Sequence, residues 1–513
     1  MGEEETTRGF SHQSHTKGGK PVKKRILNRR DFLRLSAVAA TGAIAAACAP
    51  ATPQIVEKEV IKEVPVEKPV VVEKEVVVEK VVTPTPPPPG KPVTVKFFVG
   101  WGTGNSPEQM PVQELLAQSF HELHPEITME YIREPWTAGH PKWFTLVAAG
   151  TPPDGALPIG VGGINEAGLA PDHSVWLDIE PLLERDGASV DDFHAACIEG
   201  ATNPFTHKLL GMPVGLYVSF IAYNKALLAE AGLPEPPHDW DDRSWTYDKM
   251  LEYAQALTVD RSGKRSTEVG FNPEDIEQFG LYGREPNVTG RSWGGEFMTE
   301  DARKVTFDSS EFMVGYQFLA DLVYKYHVSP TAAQTSEFFA GMSPFLTGRV
   351  GMAWSNSWDL GSYRHIEDFE WDVAPCPWGP VTNAARMCID CGTMTADGKH
   401  IDAAWEYLKY VSKPGNSERL AIDSYNCLPP RISGQALYLD RAAEAYPGVD
   451  TKVLMEGLKY ARHIEAWKPL VEWGSVFNGV FDALWLGQKT AVECAAEVAP
   501  KVQALWDEYW AQF

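Results

Sequence analysis

The segment Gly211 to Leu233, GMPVGLYVSFIAYNKALLAEAGL, constrains the chain most. Gly211, Pro213 and Gly215 punctuate its start, and Leu216 to Tyr223 is a run of β-branched and aromatic residues that suits a strand buried on both faces. Asn224 is placed to cap a helix from Lys225 to Ala231, and Gly232 supplies the left-handed residue that stops it. The pattern is therefore strand, cap, helix and stop, as in an α/β connection. The same logic predicts a β-α-β start to the folded body. A strand at Val93 to Val99 leads into the glycine-rich turn Gly100 to Gly104. A helix from about Pro107 to His121 then carries Val112, Leu115, Leu116 and Phe120 at helical spacing, and a second strand opens at Ile127. Two further helices are expected, one ending near Leu257 and one across Phe307 to Tyr326.

The first 92 residues read differently. Lys17, Lys20, Lys23, Lys24 and Arg25 precede Arg29 and Arg30, and a modestly apolar stretch runs from Leu35 to Ala47. That stretch is too short to cross a ~30 Å hydrocarbon core as a helix, so it reads as a targeting segment. Asn28-Arg29-Arg30-Asp31-Phe32-Leu33-Arg34 resembles the twin-arginine export signal. Ala45-Ala46-Ala47-Cys48 resembles a lipoprotein box, with Ala45 where Leu is usual, and implies cleavage before Cys48 and lipid on its thiol; ordinary cleavage after an Ala-x-Ala site is the other reading. From Ala51 to Pro92 the chain is a low-complexity repeat of Val, Glu, Lys and Pro without heptad spacing. At ~3.1 Å per residue, roughly 40 such residues reach on the order of 100 Å as an extended tether.

A formal charge of -23 sets a repulsive background for polyanions, so nucleic acid is not an expected partner. Seven cysteines in 513 residues are too few to build the fold from disulfides. Cys388 and Cys391 have no companion pair at metal spacing, and the reading is an incidental thiol pair or a structural disulfide, with no metal. The acidic loop Asp239, Asp241 and Asp242 lacks the turn glycine and distal glutamate of a calcium loop. No zinc-protease, serine-hydrolase, P-loop or dinucleotide motif is present, and no cofactor is expected.

Several stretches in order resemble the extracellular solute-binding proteins of ABC importers, family 1, the maltose- and oligosaccharide-binding type. They are Gly211, Pro213, Tyr223-Asn224-Lys225 and Ala231-Gly232-Leu233; Thr151-Pro152-Pro153-Asp154; Phe338 to Met342 with Gly348 to Trp358; Ala403 to Tyr410; and Leu428-Pro429-Pro430-Arg431. The resemblance runs from about Val93 to the C-terminus. It implies an α/β, two-lobed periplasmic-binding-protein-like fold (type II), each lobe a helix-covered, mostly parallel sheet with the ligand cleft between lobes. Residues 1–48 would be the export and lipoprotein signal and 49–92 the tether. Residues 93–215 with 387–431 would form lobe 1, and 216–386 with 432–513 lobe 2, the chain crossing near Gly215, Met387 and Ile432.

The implied function is capture of a small solute by lobe closure and delivery to a membrane permease, without chemistry. The protein would be monomeric and held by lipid at the outer face of the cytoplasmic membrane. Residues 155–163 carry no charge where maltodextrin binders carry an Asp-Arg pair, so the site is not a copy of theirs. The 17 tryptophans point to a neutral sugar, whose flat apolar faces stack on indole. Trp101, Trp136, Trp293, Trp358 and Trp473 are the candidate platforms, and Glu134, Tyr217, Glu285 and Asn356 the candidate polar partners. Two other readings stand beside this one: an exported glycoside hydrolase, which needs only two carboxylates in a cleft, and a stalked adhesive surface protein.

Overall fold

β1 (Val93–Val99) buries Val95, Phe97, Phe98 and Val99. The helix Met110–Leu123 lays Gln113, Leu116 and Phe120 against it, one stripe at helical spacing. β2 (Ile127–Arg133) then returns parallel to β1 in unbroken register, Val93 opposite Ile127 through Val99 opposite Arg133. β3 (Gly155–Gly160) joins the other side of β1, also parallel. The first helix starts three residues later than the sequence implies, because the Gln109 Oε1 accepts the Gly104 N–H at 2.7 Å and holds the preceding turn.

This computed structural model describes residues 91–513 except 169–173, 340–342, 464–466, 468–472 and 513. The export residues Arg29 and Arg30, the lipidation candidate Cys48 and the tether lie outside the described residues. No described helix is long and apolar enough to cross a membrane.

β4 (Met212–Asn224) is the axis of the fold, and all thirteen of its residues are buried. Beyond it come β5 (Val259–Asp260), β6 (Ile276–Tyr282), β7 (Val350–Asn356), β8 (Trp371–Ala374), β9 (Ala385–Met394) and β10 (Ala461–Arg462). The spatial order is β2-β1-β3-β9-β4-β7-β6-β5, with β10 on β9 and β8 on β4. Met212 to Val218 of β4 pairs with β9, whereas Ser219 to Asn224 pairs with β7 on one side and β8 on the other. One strand thus pairs with two sets of neighbours in succession.

The expectation of mostly parallel sheets needs correction. β1 with β2, β1 with β3 and β6 with β7 are parallel, but every pairing of β4 and that of β3 with β9 is antiparallel. Strands that carry the chain out of a lobe and back lie side by side in opposite directions, and antiparallel neighbours need no helical crossover.

The cap, helix and stop of the crossing segment hold residue by residue, while its strand begins at Met212 rather than Leu216. Asn224 Oδ1 accepts the Leu227 N–H at 3.2 Å, the helix runs Lys225–Ala231, and Gly232 sits at φ 70°. Thr246 and Ser309 cap the helices Tyr247–Leu257 and Ser310–Tyr324 in the same manner. Helix Trp473–Trp485 and helix Ala491–Trp510, which a Thr490/Glu493 capping box opens, pack with Ser310–Tyr324. Cys391 carries a free thiol, so the alternative of a Cys388–Cys391 disulfide is not met.

Candidate ligand site

Burial alternates along the first half of β9, and Arg386, Cys388 and Asp390 share one face of the strand. Side chains of that face reach Tyr217, Glu285 and Trp358. Asp390 is 5% exposed, and its Oδ2 accepts the Thr103 N–H at 3.2 Å, the Thr103 hydroxyl at 2.7 Å and the Tyr217 hydroxyl at 3.2 Å. Burial pushes the Asp390 carboxyl above the ordinary range, and the hydrogen bonds from Thr103 and Tyr217 oppose this. Burial, then the Asp390 charge, raises the Tyr217 phenol well above its usual value. Thr103 comes from the glycine-rich turn after β1, so this trio ties that turn to the crossing strands.

The Tyr217 ring lies 5.5 Å from Trp358, and the Arg386 guanidinium stands 5.9 Å from the Trp358 ring centre. Arg386 Nη1 is 3.7 Å from Glu285 Oε2, and Asn356 Nδ2 donates to Glu285 Oε1 at 3.0 Å. The turn that presents Trp358 is built by its own neighbours: Asn356 ends β7 and its N–H donates to Asp359 Oδ2 at 2.9 Å, closing a capping box. Burial pushes the Asp359 carboxyl up to about 6; the Asn356 N–H works against this and the Glu285 charge adds to it. Trp358 remains 37% exposed. Beside it opens a cavity of ≈ 590 Å³, within the range of small-molecule sites, with Ser106, Gln109, Tyr425 and Asn426 facing Trp358 and Arg364. The Tyr425 hydroxyl is buried there without a partner among the described residues.

Of the residues singled out from sequence, the structure brings Tyr217, Glu285, Asn356 and Trp358 together. Glu134 and Trp136 sit at the end of β2. The Glu134 N–H donates to Val99 O at 2.8 Å, and Trp136, at the first position of its helix, is 62% exposed. Trp101 must be corrected to a core residue. A Cβ on Gly102 would lie 2.9 Å from Gly160 N, so the turn packs flat on β3, with Trp101 inward at 4.7 Å from His140 and 5.5 Å from Phe144. Trp293 is wedged between Tyr247 and Phe318, at 4.6 and 5.5 Å. Trp473 opens its helix against Phe297 and Trp506, at 5.5 and 6.3 Å. Neither ring joins the Trp358 cluster through these contacts.

Thr103, Asp359, Arg386 and Asp390 were not singled out. Arg386 and Asp390 carried a usable signal, since two charges at even spacing interrupt an apolar strand. Away from the cleft, Glu235, His238 and Asp372 converge within 4.8 Å, but the Lys225 ammonium lies 2.9 Å from Asp372 and already supplies positive charge.

The family profile of bacterial extracellular solute-binding proteins matches residues 103–418. A binding protein of Brucella abortus is 30% identical over 407 residues, 77% of this chain and 90% of its own length. Among solved structures, an ABC substrate-binding protein from Listeria monocytogenes in complex with cycloalternan superposes with TM-score 0.65 at 18% identity, covering 81% of this chain and 98% of that one. A solute-binding protein from Thermotoga lettingae bound with α-D-tagatose gives TM-score 0.63 at 18% identity, covering 81% and 100%. At such identities the superpositions establish the two-lobed α/β fold.

Proposed function

Because this chain belongs to the bacterial extracellular solute-binding protein family, whose members bind rather than transform their ligands, we propose that it captures a neutral sugar or oligosaccharide for an ABC importer. The observation that carries this reading is the Trp358 ring, part open, edged by Arg386, Glu285 and Asn356 beside the ≈ 590 Å³ cavity. An indole face receives the apolar face of a pyranose, and side chains that both donate and accept suit its hydroxyls. The carbohydrate complexes of the structural neighbours support the same class.

The lobes on this reading are 93–215 with 387–431 and 216–386 with 432–513, closing about β4 and β9. A ligand that bridges both lobes shifts the hinge equilibrium toward the closed state. The closed monomer presents the ligand to a membrane permease, while lipid at Cys48 and the tether of residues 49–92 hold the body outside the cytoplasmic membrane. Glu134 and Trp136 complete the sugar contacts from lobe 1.

A thermal-shift screen of the chain against mono- and oligosaccharides, peptides and polyamines tests this. A cognate sugar at ~100 times its Kd stabilises the fold by about 2.7 kcal/mol. Stabilisation by a peptide or polyamine, with none from any saccharide, would overturn the carbohydrate assignment.

A further inference from the structure

The turn that carries Trp358 runs on into a short helix (Leu360–Tyr363), and two side chains from distant parts of the chain brace against its Gly361. Arg364 Nε donates to Gly361 O at 3.1 Å, and a Cβ on Gly361 would lie 3.3 Å from Asn426 Nδ2. Arg364 is exposed, and its terminal guanidinium nitrogens meet no hydrogen-bond or ion-pair partner among the described residues. Asn426 stands at φ 52°, a left-handed conformation that few residues other than glycine and asparagine adopt. The π-helical turn Arg419–Ser424, of a kind common at functional sites, delivers it there, and the Ser424 hydroxyl fixes the turn by donating to Gln109 O at 2.6 Å. Arg364 and Asn426 line two cavities at once. One is the ≈ 590 Å³ cavity beside Trp358; the other, of ≈ 500 Å³, lies between Ile422 and the helix Gln435–Ala445, which contributes Tyr438, Arg441 and Ala442.

We propose that this second cavity is a sugar subsite, which takes the units of a linear oligosaccharide that extend from Trp358 past Arg364 and Asn426. The proposal rests on the carbohydrate reading of the Trp358 cavity, and it makes the preferred ligand an oligosaccharide rather than a single sugar. The shared wall supplies continuity: a chain of linked sugars that touches Arg364 or Asn426 in the first cavity is already at the edge of the second. The second cavity also suits a neutral ring. Its wall is apolar at Ile422, Ala442 and the rings of Tyr438 and Tyr446. Its charges cancel, because the Arg441 guanidinium pairs with Asp423 and Glu444 offsets Arg364. An ion of either sign finds no net charge to meet there, whereas a hydroxyl both donates and accepts. A third cavity, of ≈ 580 Å³, also touches Arg364, but on the lobe boundaries proposed above its wall, Lys225 with residues from 363–371 and 445–448, belongs to one lobe. The second cavity has Ile422, Asp423 and Asn426 from lobe 1 and Arg364, Tyr438 and Arg441 from lobe 2, so closure narrows it around a ligand.

Calorimetric titration of the full chain with malto- and manno-oligosaccharides of increasing length tests this, on wild type, Arg441→Gln and Ala445→Phe. Both positions are exposed and line the second cavity without lining the first, so disaccharides should bind all three proteins alike. Wild type should bind the longest oligosaccharides more tightly than disaccharides. Arg441→Gln should weaken the longest about 10-fold, the loss of a hydrogen bond to a charged group. Ala445→Phe, which fills the cavity, should erase the gain with chain length, and it serves alone if Arg441→Gln does not fold. If saccharides bind but wild-type affinity does not rise with length, or neither variant lowers the ratio of long- to short-chain affinity, the subsite is wrong and the cleft reading stands. If no saccharide of any length binds wild type, the cleft reading falls and this proposal with it.

Discussion

Replacing Trp358 by Ala separates a ligand platform from a packing residue, because the structure gives the ring both environments. An indole side chain presents about 250 Å². With 37% of the residue exposed, about 90 Å² is free for a sugar face to cover. At ~25 cal/mol per Å² that contact contributes about 2 kcal/mol, or about 30-fold in Kd. The remaining surface packs near Tyr217 and Arg386, and its loss lowers stability by up to about 4 kcal/mol, an upper bound set by an extended unfolded chain. Titration of Trp358→Ala with the saccharide that gives the largest thermal shift should therefore show a Kd raised about 30-fold. A denaturant melt of the same variant should show a loss of stability with an unchanged slope. An unchanged Kd beside the same loss of stability would refute the platform and leave Trp358 a packing residue.

Tyr217→Phe removes one of the three hydrogen bonds that Asp390 Oδ2 accepts and should cost about 1–2 kcal/mol in a chemical melt; a wild-type midpoint would mean that the trio does not hold the turn after β1. Asp359→Asn tests the carboxyl pushed up to about 6. Ordinary carboxyls ionise near pH ~4, so the folded state holds the extra proton between about 4 and 6, and wild-type stability falls relative to the variant as pH rises through that window. A stability difference that does not vary with pH would contradict the assignment. Cys48→Ala should release the protein from membranes into the soluble fraction, and detergent partitioning equal to wild type would rule out the lipid anchor.

Local signals carried far along this chain. The cap at Asn224 and the stop at Gly232 were legible because each depends on a hydrogen bond or a φ value within four residues. The crossing strand was legible because a run of buried apolar residues has no other stable place. Trp358 and Asn356 were legible through the resemblance of the segment around them to a family pattern.

What the sequence could not express was which neighbour each side chain would find. Trp101 and Trp293 stand beside glycines, which suggested exposed turns. In the structure those glycines serve close approach instead: Gly102 lies flat on β3, and a Cβ on Gly295 would sit 2.6 Å from the Phe312 backbone, so the nearby indoles turn inward. Arg386 and Asp390 lie more than 160 residues from Tyr217, and Glu285 lies 71 residues from Asn356. They meet only because β9 and β7 flank successive halves of β4. The sequence determined the elements, since propensity, caps and turns act over a few residues. Only the tertiary structure decided the site, since a cluster of charges and rings where β9 and β7 flank β4 is fixed by strand order and register, and those depend on contacts between residues far apart in the chain.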